Sequence, residues 1–119
     1  MWIMVGGPYG TGAKSAAERA ANLARMNEAA LAVWRKGHVP IIGVNLALPI
    51  VAAAGGDAAA DAEIMMPLSL ALADRCDAFL RIDGASVGAD QEMARFVAAG
   101  KRVFRSVEEI EATAPSSTR

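Results

Sequence analysis

Four short apolar runs, each separated from the next by a stretch with helical spacing, constrain this chain more than any other feature. MWIMV (1–5), VPIIGV (39–44), DAFLRI (77–82) and RVF (102–104) read as strands. Between the first two, residues 14–36 place Leu23, Met26, Ala30, Val33 and Trp34 on an inner face. Glu18, Asn22, Arg25, Glu28 and Arg35 form the outer face, and Gly37 is a natural stop. A helix is expected from Ala89 to Ala99, closed by Gly100, and a last short one over SVEEIEA with Ser106 as its cap. Residues 45–66 are alanine-rich and less periodic. There Gly55 and Gly56 divide two helical pieces, Asp57 can cap the second, and Pro67 is expected to open a further helix through Arg75. Strands alternating with helices predict a three-layer α/β domain. Its parallel sheet of about four strands takes the flavodoxin-like or Rossmann-like order 2-1-3-4, with right-handed crossovers. The 119 residues suffice for one domain, placed at 1–112, with 113–119 expected as a disordered tail.

Sheets of this kind bind ligands beyond the carboxyl ends of their strands, where strand order reverses. Two glycine-bearing loops, GGPYGTGAKS (6–15) and DGASVG (83–88), each follow a strand and precede a helix, so both belong to that edge. The first imitates a Walker A loop without being one. Gly7 and Gly12 have the right separation, but Ala13 intrudes before Lys14 and Ser15. One added residue rotates everything after it by about 100°, which takes the lysine away from the phosphates. G-x-G-x-x-G fails too, because Gly10 and Gly12 are followed by Ala13, Lys14 and Ser15. What remains is a backbone loop that can approach a ligand closely.

The second loop carries more chemistry. Ser86 and Gly88 are expected just before a helix, where free N–H groups and the positive dipole end favour an anion. Glu92 follows within the first turn or so and can point back into the same crevice. Beside apolar walls its carboxylate can serve as nucleophile or general base, although an acid in that place also simply offsets the dipole. Asp83, Asp90 and Asp77 read as turn, cap and strand-edge residues.

Composition narrows the partners. The net charge is −1 and there is no basic run, which argues against a nucleic-acid polymer. The single cysteine, Cys76, forms no internal disulfide and suits a reducing cytoplasm; with no paired Cys/His spacing, neither a metal nor another cofactor is expected. The start of the chain has no basic segment and too short an apolar run for a signal peptide. Residues 37–56 lack any charge and match a bilayer span in length, but Pro40, Gly43, Asn45 and Pro49 divide them, so no membrane association is expected. His38 reads as structural, Cys76 as an inert core thiol and Lys14 as a solvated helix-start residue. Met65 and Met66, with Leu68, Leu70 and Leu72, belong to a core or a subunit interface.

The ordered set GGPYG, KGHVPII, RCDAFLRI, SVGADQE and AAGKRVF resembles the nucleoside 2-deoxyribosyltransferase-like superfamily, above all its uncharacterised bacterial members. The likeness covers roughly residues 2–105. It implies that Glu92 matches the glutamate that attacks the anomeric carbon of a ribose or deoxyribose and forms a glycosyl-enzyme. Six residues earlier, nucleoside transferases carry Asp, whereas nucleoside 5′-monophosphate N-glycosidases carry Ser, which helps to hold phosphate; here the residue is Ser86. The first loop, with Gly7, Pro8, Tyr9 and Gly10, would line sugar and base, and Asp83 and Gly88 would complete the substrate site. A short chain with an exposed methionine-rich segment is expected to form a homodimer or homotetramer, and the resemblance implies pockets completed by a neighbouring subunit. One position departs from the pattern. Many members carry an aspartate seven residues before the strand-leading Cys-Asp, and Ser69 stands there in this chain. Asp74 lies about 140° round a helix from it.

Two classes of function follow. The first is hydrolysis or transfer at the N-glycosidic bond of a nucleoside or nucleoside 5′-monophosphate through a glutamate nucleophile. The second, favoured by Ser69, is a nucleotide-binding or sensing domain without catalysis. A phosphoribohydrolase whose loops contain GGxGT is a weaker third, because GGPYGTG occurs only after the first strand.

Overall fold

The structure, a computed structural model, describes residues 1–113. Strands β1 (Trp2–Gly6), β2 (Val39–Ile41), β3 (Ala78–Arg81) and β4 (Arg102–Phe104) alternate with helices. These are α1 (Ala16–Arg35), α2 (Gly43–Ala53), α3 (Ala58–Ala73) and α4 (Val87–Ala98), and a 3-10 turn follows at Val107–Glu109. All pairings are parallel, and the sheet order is β2-β1-β3-β4, the 2-1-3-4 order expected from the sequence.

Alternation along the central strands builds two cores. Ile3, Val5, Ala78 and Leu80 point to the face covered by α1, where they pack with Met26, Val33, Phe104 and Ile110. Met4 and Phe79 point the other way and pack with Ala73 of α3 and Phe96 of α4. The rings of Phe79 and Phe96 stack at 5.0 Å, which fixes α4 against the middle of the sheet. Helix and sheet layers on both faces make this a three-layer α/β fold.

Local signals set the helix ends. The Ser15 hydroxyl caps α1 by accepting from the Glu18 N–H at 3.1 Å, and the Asp57 carboxylate caps α3 by accepting from Ala60 N–H at 2.9 Å. Gly37, at φ +97°, ends α1 in a Schellman turn: Gly37 N–H donates to Trp34 O at 2.9 Å and His38 N–H to Val33 O at 3.3 Å. Beyond the turn, buried His38 places Nδ1 2.9 Å from the Met1 amino group and Nε2 2.7 Å from the Glu111 carbonyl. Its role is structural. Lys36 Nζ donates to the carbonyls of Val107 and Ile110, and Thr113 N–H donates back to Lys36 O at 2.8 Å. Residues 114–119 of the expected tail lie outside the described residues.

Several expectations need correction. The second strand stops at Ile41, and Gly43 and Val44 already belong to α2, whose buried Ala47 and Val51 recur at helical spacing. Pro67 does not open a helix but sits inside α3; it faces solvent, as does Pro49 in α2, so water can satisfy the carbonyl that each ring leaves unpaired. Trp34 is 45% exposed, because the buried stripe of α1 runs through Met26 and Val33 and leaves its neighbour on the flank. Gly88 lies within the first turn of α4, since Ser86 and not a later residue is the cap. Asp90 pairs with Arg81 instead of capping, and Ser106 makes no side-chain cap bond. The charge-free stretch is split between β2 and the 11-residue α2, and among the described residues no helix is long and apolar enough to cross a membrane.

Candidate active site

β1 is the strand from which the sheet is built in both directions, β2 on one side and β3 on the other, so the order reverses between β1 and β3. The two glycine-bearing loops leave those adjacent strands at the same edge, where Gly6 pairs with Arg81. Hydrogen bonds tie them together. The Ser86 hydroxyl donates to Gly7 O at 3.2 Å and accepts from Ala89 N–H at 3.1 Å, so it both caps α4 and anchors the first loop. Thr11 Oγ1 accepts from Val87 N–H at 3.2 Å. Two of the amides at the tip of α4 are thus engaged by loop hydroxyls. Asn22 of α1 donates to Tyr9 O at 2.9 Å and steadies the same loop from the far side.

Between these loops, α2 and α3 lies a cavity of about 560 Å³. Glu92 lines it, on the buried stripe of α4 that runs Ala89, Glu92, Phe96, in the second turn because the helix opens two residues earlier than expected. The residue is only 8% exposed. Two glycines make room for it. A β-carbon on Gly6 would stand 2.7 Å from Glu92 Oε1 and 2.5 Å from Phe79 Cζ, and one on Gly43 would stand 3.4 Å from Oε2 and land on Ser69 Oγ. Burial pushes the Glu92 carboxyl up to about 7, against the opposite pulls of a hydrogen bond from Ser69 and the positive charge of Arg81. A carboxyl poised near neutrality in an apolar crevice is suited to nucleophilic or acid–base work.

Gly7, Tyr9, Gly10, Ser86, Gly88 and Glu92 therefore share one cavity. Pro8 and Asp83 do not line it. Pro8 packs under Gly84 and faces a separate recess of about 420 Å³ with Glu18, Asn22 and Arg25, while Asp83 is exposed at the turn. Asp74 lies outside too: it is exposed and pairs with Arg95 at 2.8 Å. Met65 and Met66 are half-buried and line the cavity, rather than standing exposed. Cys76 is buried, and burial, followed by the charge of Asp77, pushes its thiol up.

Sequence reasoning missed three participants. Arg81 is 5% exposed and donates to Asp90 Oδ1 at 2.9 Å, to Gly84 O at 3.0 Å and to Ile82 O, which pins the second loop from beneath. Its signal was available: the charge inside the apolar stretch AFLRI requires a local partner. Arg19 of α1 and Asp61 of α3 line the cavity from opposite helices, and nothing in their spacing marks them.

The fold and this crevice define a three-layer α/β domain with a pocket at the switch point of its sheet, floored by one buried carboxyl. The chain belongs to the family described as domain of unknown function DUF1937, whose model matches residues 2–108. No curated protein matches it significantly.

Proposed function

We propose that this domain cleaves, or transfers at, the N-glycosidic bond of a nucleoside or nucleoside 5′-monophosphate, with Glu92 as the nucleophile. The observation that carries the reading is buried Glu92, a residue 8% exposed, lining the cavity between two strand-end loops while Gly6 and Gly43 leave space for its carboxyl. The cavity is of a size that encloses a small ligand. In the ionised form a Glu92 oxygen bonds to the anomeric carbon as the base departs, and water or a second base then displaces it. Arg19 supports a substrate with an anionic 5′ end, because its guanidinium has no hydrogen-bond or ion-pair partner among the described residues and lines the same cavity. Exposed Leu46 and Ile50 on α2 support self-association.

A second reading, nucleotide binding without turnover, draws support from Ser69, a hydroxyl where the resembling superfamily carries an aspartate. Incubation with a panel of nucleosides and 5′-monophosphates, with free base measured by chromatography, separates the two. Base release that disappears in Glu92→Gln supports catalysis. Calorimetric binding with no base released supports the sensing domain.

A further inference from the structure

Cleaving a neutral N-glycoside makes two demands on a site: a negative oxygen for the anomeric carbon and a proton for the departing base. Glycosidases divide these between two carboxyl groups. Here the carboxyls lining the cavity are Glu92 and Asp61, and they are unlike. Glu92 is buried, whereas Asp61 is exposed in the first turn of α3, where negative charge offsets the helix dipole. Beside Glu92 stands the Ser69 hydroxyl, which holds the carboxylate but is no acid near neutrality. The phenol of Tyr9 is a poor one. One buried carboxyl can meet one demand.

The lining also offers two available charges of opposite sign. No ion pair joins Arg19 to Asp61, and neither side chain has another partner among the described residues. A ligand carrying both charges would satisfy both.

Building on the glycosidic reading above, we infer that the substrates are cationic nucleosides or nucleotides, N-alkylpyridinium or N7-alkylated purine glycosides, whose base leaves without being protonated. Asp61 meets the cationic ring and Arg19 the anionic 5′ group. The step balances without an acid. A Glu92 oxygen forms a bond to the anomeric carbon as the C–N bond breaks, and the bonding pair goes to the ring nitrogen and cancels its charge. Water then attacks the same carbon, Glu92 leaves as carboxylate, and one proton passes to solvent.

The test compares base release from N7-methylguanosine 5′-monophosphate, nicotinamide mononucleotide and guanosine 5′-monophosphate. Each rate is divided by that of Glu92→Gln, which carries the spontaneous reaction. The two cationic nucleotides should be accelerated by about a hundredfold or more and guanosine 5′-monophosphate by less than about tenfold. Asp61→Asn should reduce the preference for cations by roughly tenfold. Equal acceleration of the neutral nucleotide overturns the cationic assignment and leaves the glycosidic reading standing. No acceleration of any of the three overturns the glycosidic reading itself, and this inference with it. An unchanged preference in Asp61→Asn removes Asp61 from its role.

Discussion

Gly6, the last residue of β1, and Glu92, in the second turn of α4, occupy complementary space: the β-carbon that Gly6 lacks would stand 2.7 Å from the Glu92 carboxylate. The same β-carbon would lie 2.5 Å from the Phe79 ring, which is stacked on Phe96 and cannot retreat without disturbing the core. Gly6→Ala should therefore destabilise the fold by about 1–3 kcal/mol, the usual cost of overpacking, and displace the carboxyl. Gly10→Ala is the control, since its added carbon meets nothing within 4 Å and should cost under about 0.5 kcal/mol. Denaturant melts of the two variants check the contrast.

Glu92 should make stability fall as the solution becomes less acidic. Its carboxyl titrates at about 7 in the folded chain against 4.5 for the ordinary group, so the folded state holds the proton more tightly. The resulting stabilisation is complete below pH 4.5 and is lost as pH rises through 7. Glu92→Gln removes that dependence. It should match the parent near pH 4 and exceed it by up to about 3 kcal/mol at pH 8, as read from paired unfolding curves.

Ser69 and Arg81 both favour the ionised carboxylate, so weakening either should move the activity profile. Base release that needs ionised Glu92 rises with pH through a midpoint near 7. Ser69→Ala removes the hydrogen bond and Arg81→Met the charge, and each should shift the midpoint to higher pH. The other charged or titratable groups around the cavity are Arg19, Asp61 and Tyr9, which both variants leave in place.

Arg81→Met should also loosen the second loop, because Gly84 O, Ile82 O and Asp90 lose their donor together. Asp90 is 64% exposed and can return to water, so the cost should be about 1–3 kcal/mol, below that of stranding a buried charge. Hydrogen exchange of the amides at residues 83–89 should quicken by more than that of β1.

Arg19→Ala separates the phosphate role from the glycosidic one. If Arg19 holds the 5′ group, KM for a 5′-monophosphate should rise by roughly tenfold or more, while the matching nucleoside changes little. Steady-state kinetics on the pair reads the difference directly.

Much of this was legible in the chain itself. Alternating apolar runs and helical stripes pointed to the parallel sheet, whose order follows the flavodoxin-like expectation, and Asp57 and Gly37 marked helix ends that the structure shares. Ser86 and Glu92 were found because they flank a strand-to-helix loop, and Glu92 could have been read further, since it falls on the apolar stripe of Ala89 and Phe96. The first helical piece before Gly55 was expected, but its start at Gly43 was not, because α2 opens without a side-chain cap and carries no charge at either end. Arg19 and Asp61 come to line one cavity only on folding, and no periodicity within either helix announces it.

The clamp around His38 and Lys36 has a consequence for how this domain can be joined to others. Met1 bonds His38, and Glu111 and Thr113 bond His38 and Lys36, so the entering and leaving backbone emerge side by side at the amino edge of the sheet. The cavity opens at the opposite edge. An attachment made at Met1 or directly after Thr113 would therefore leave from the edge away from the pocket.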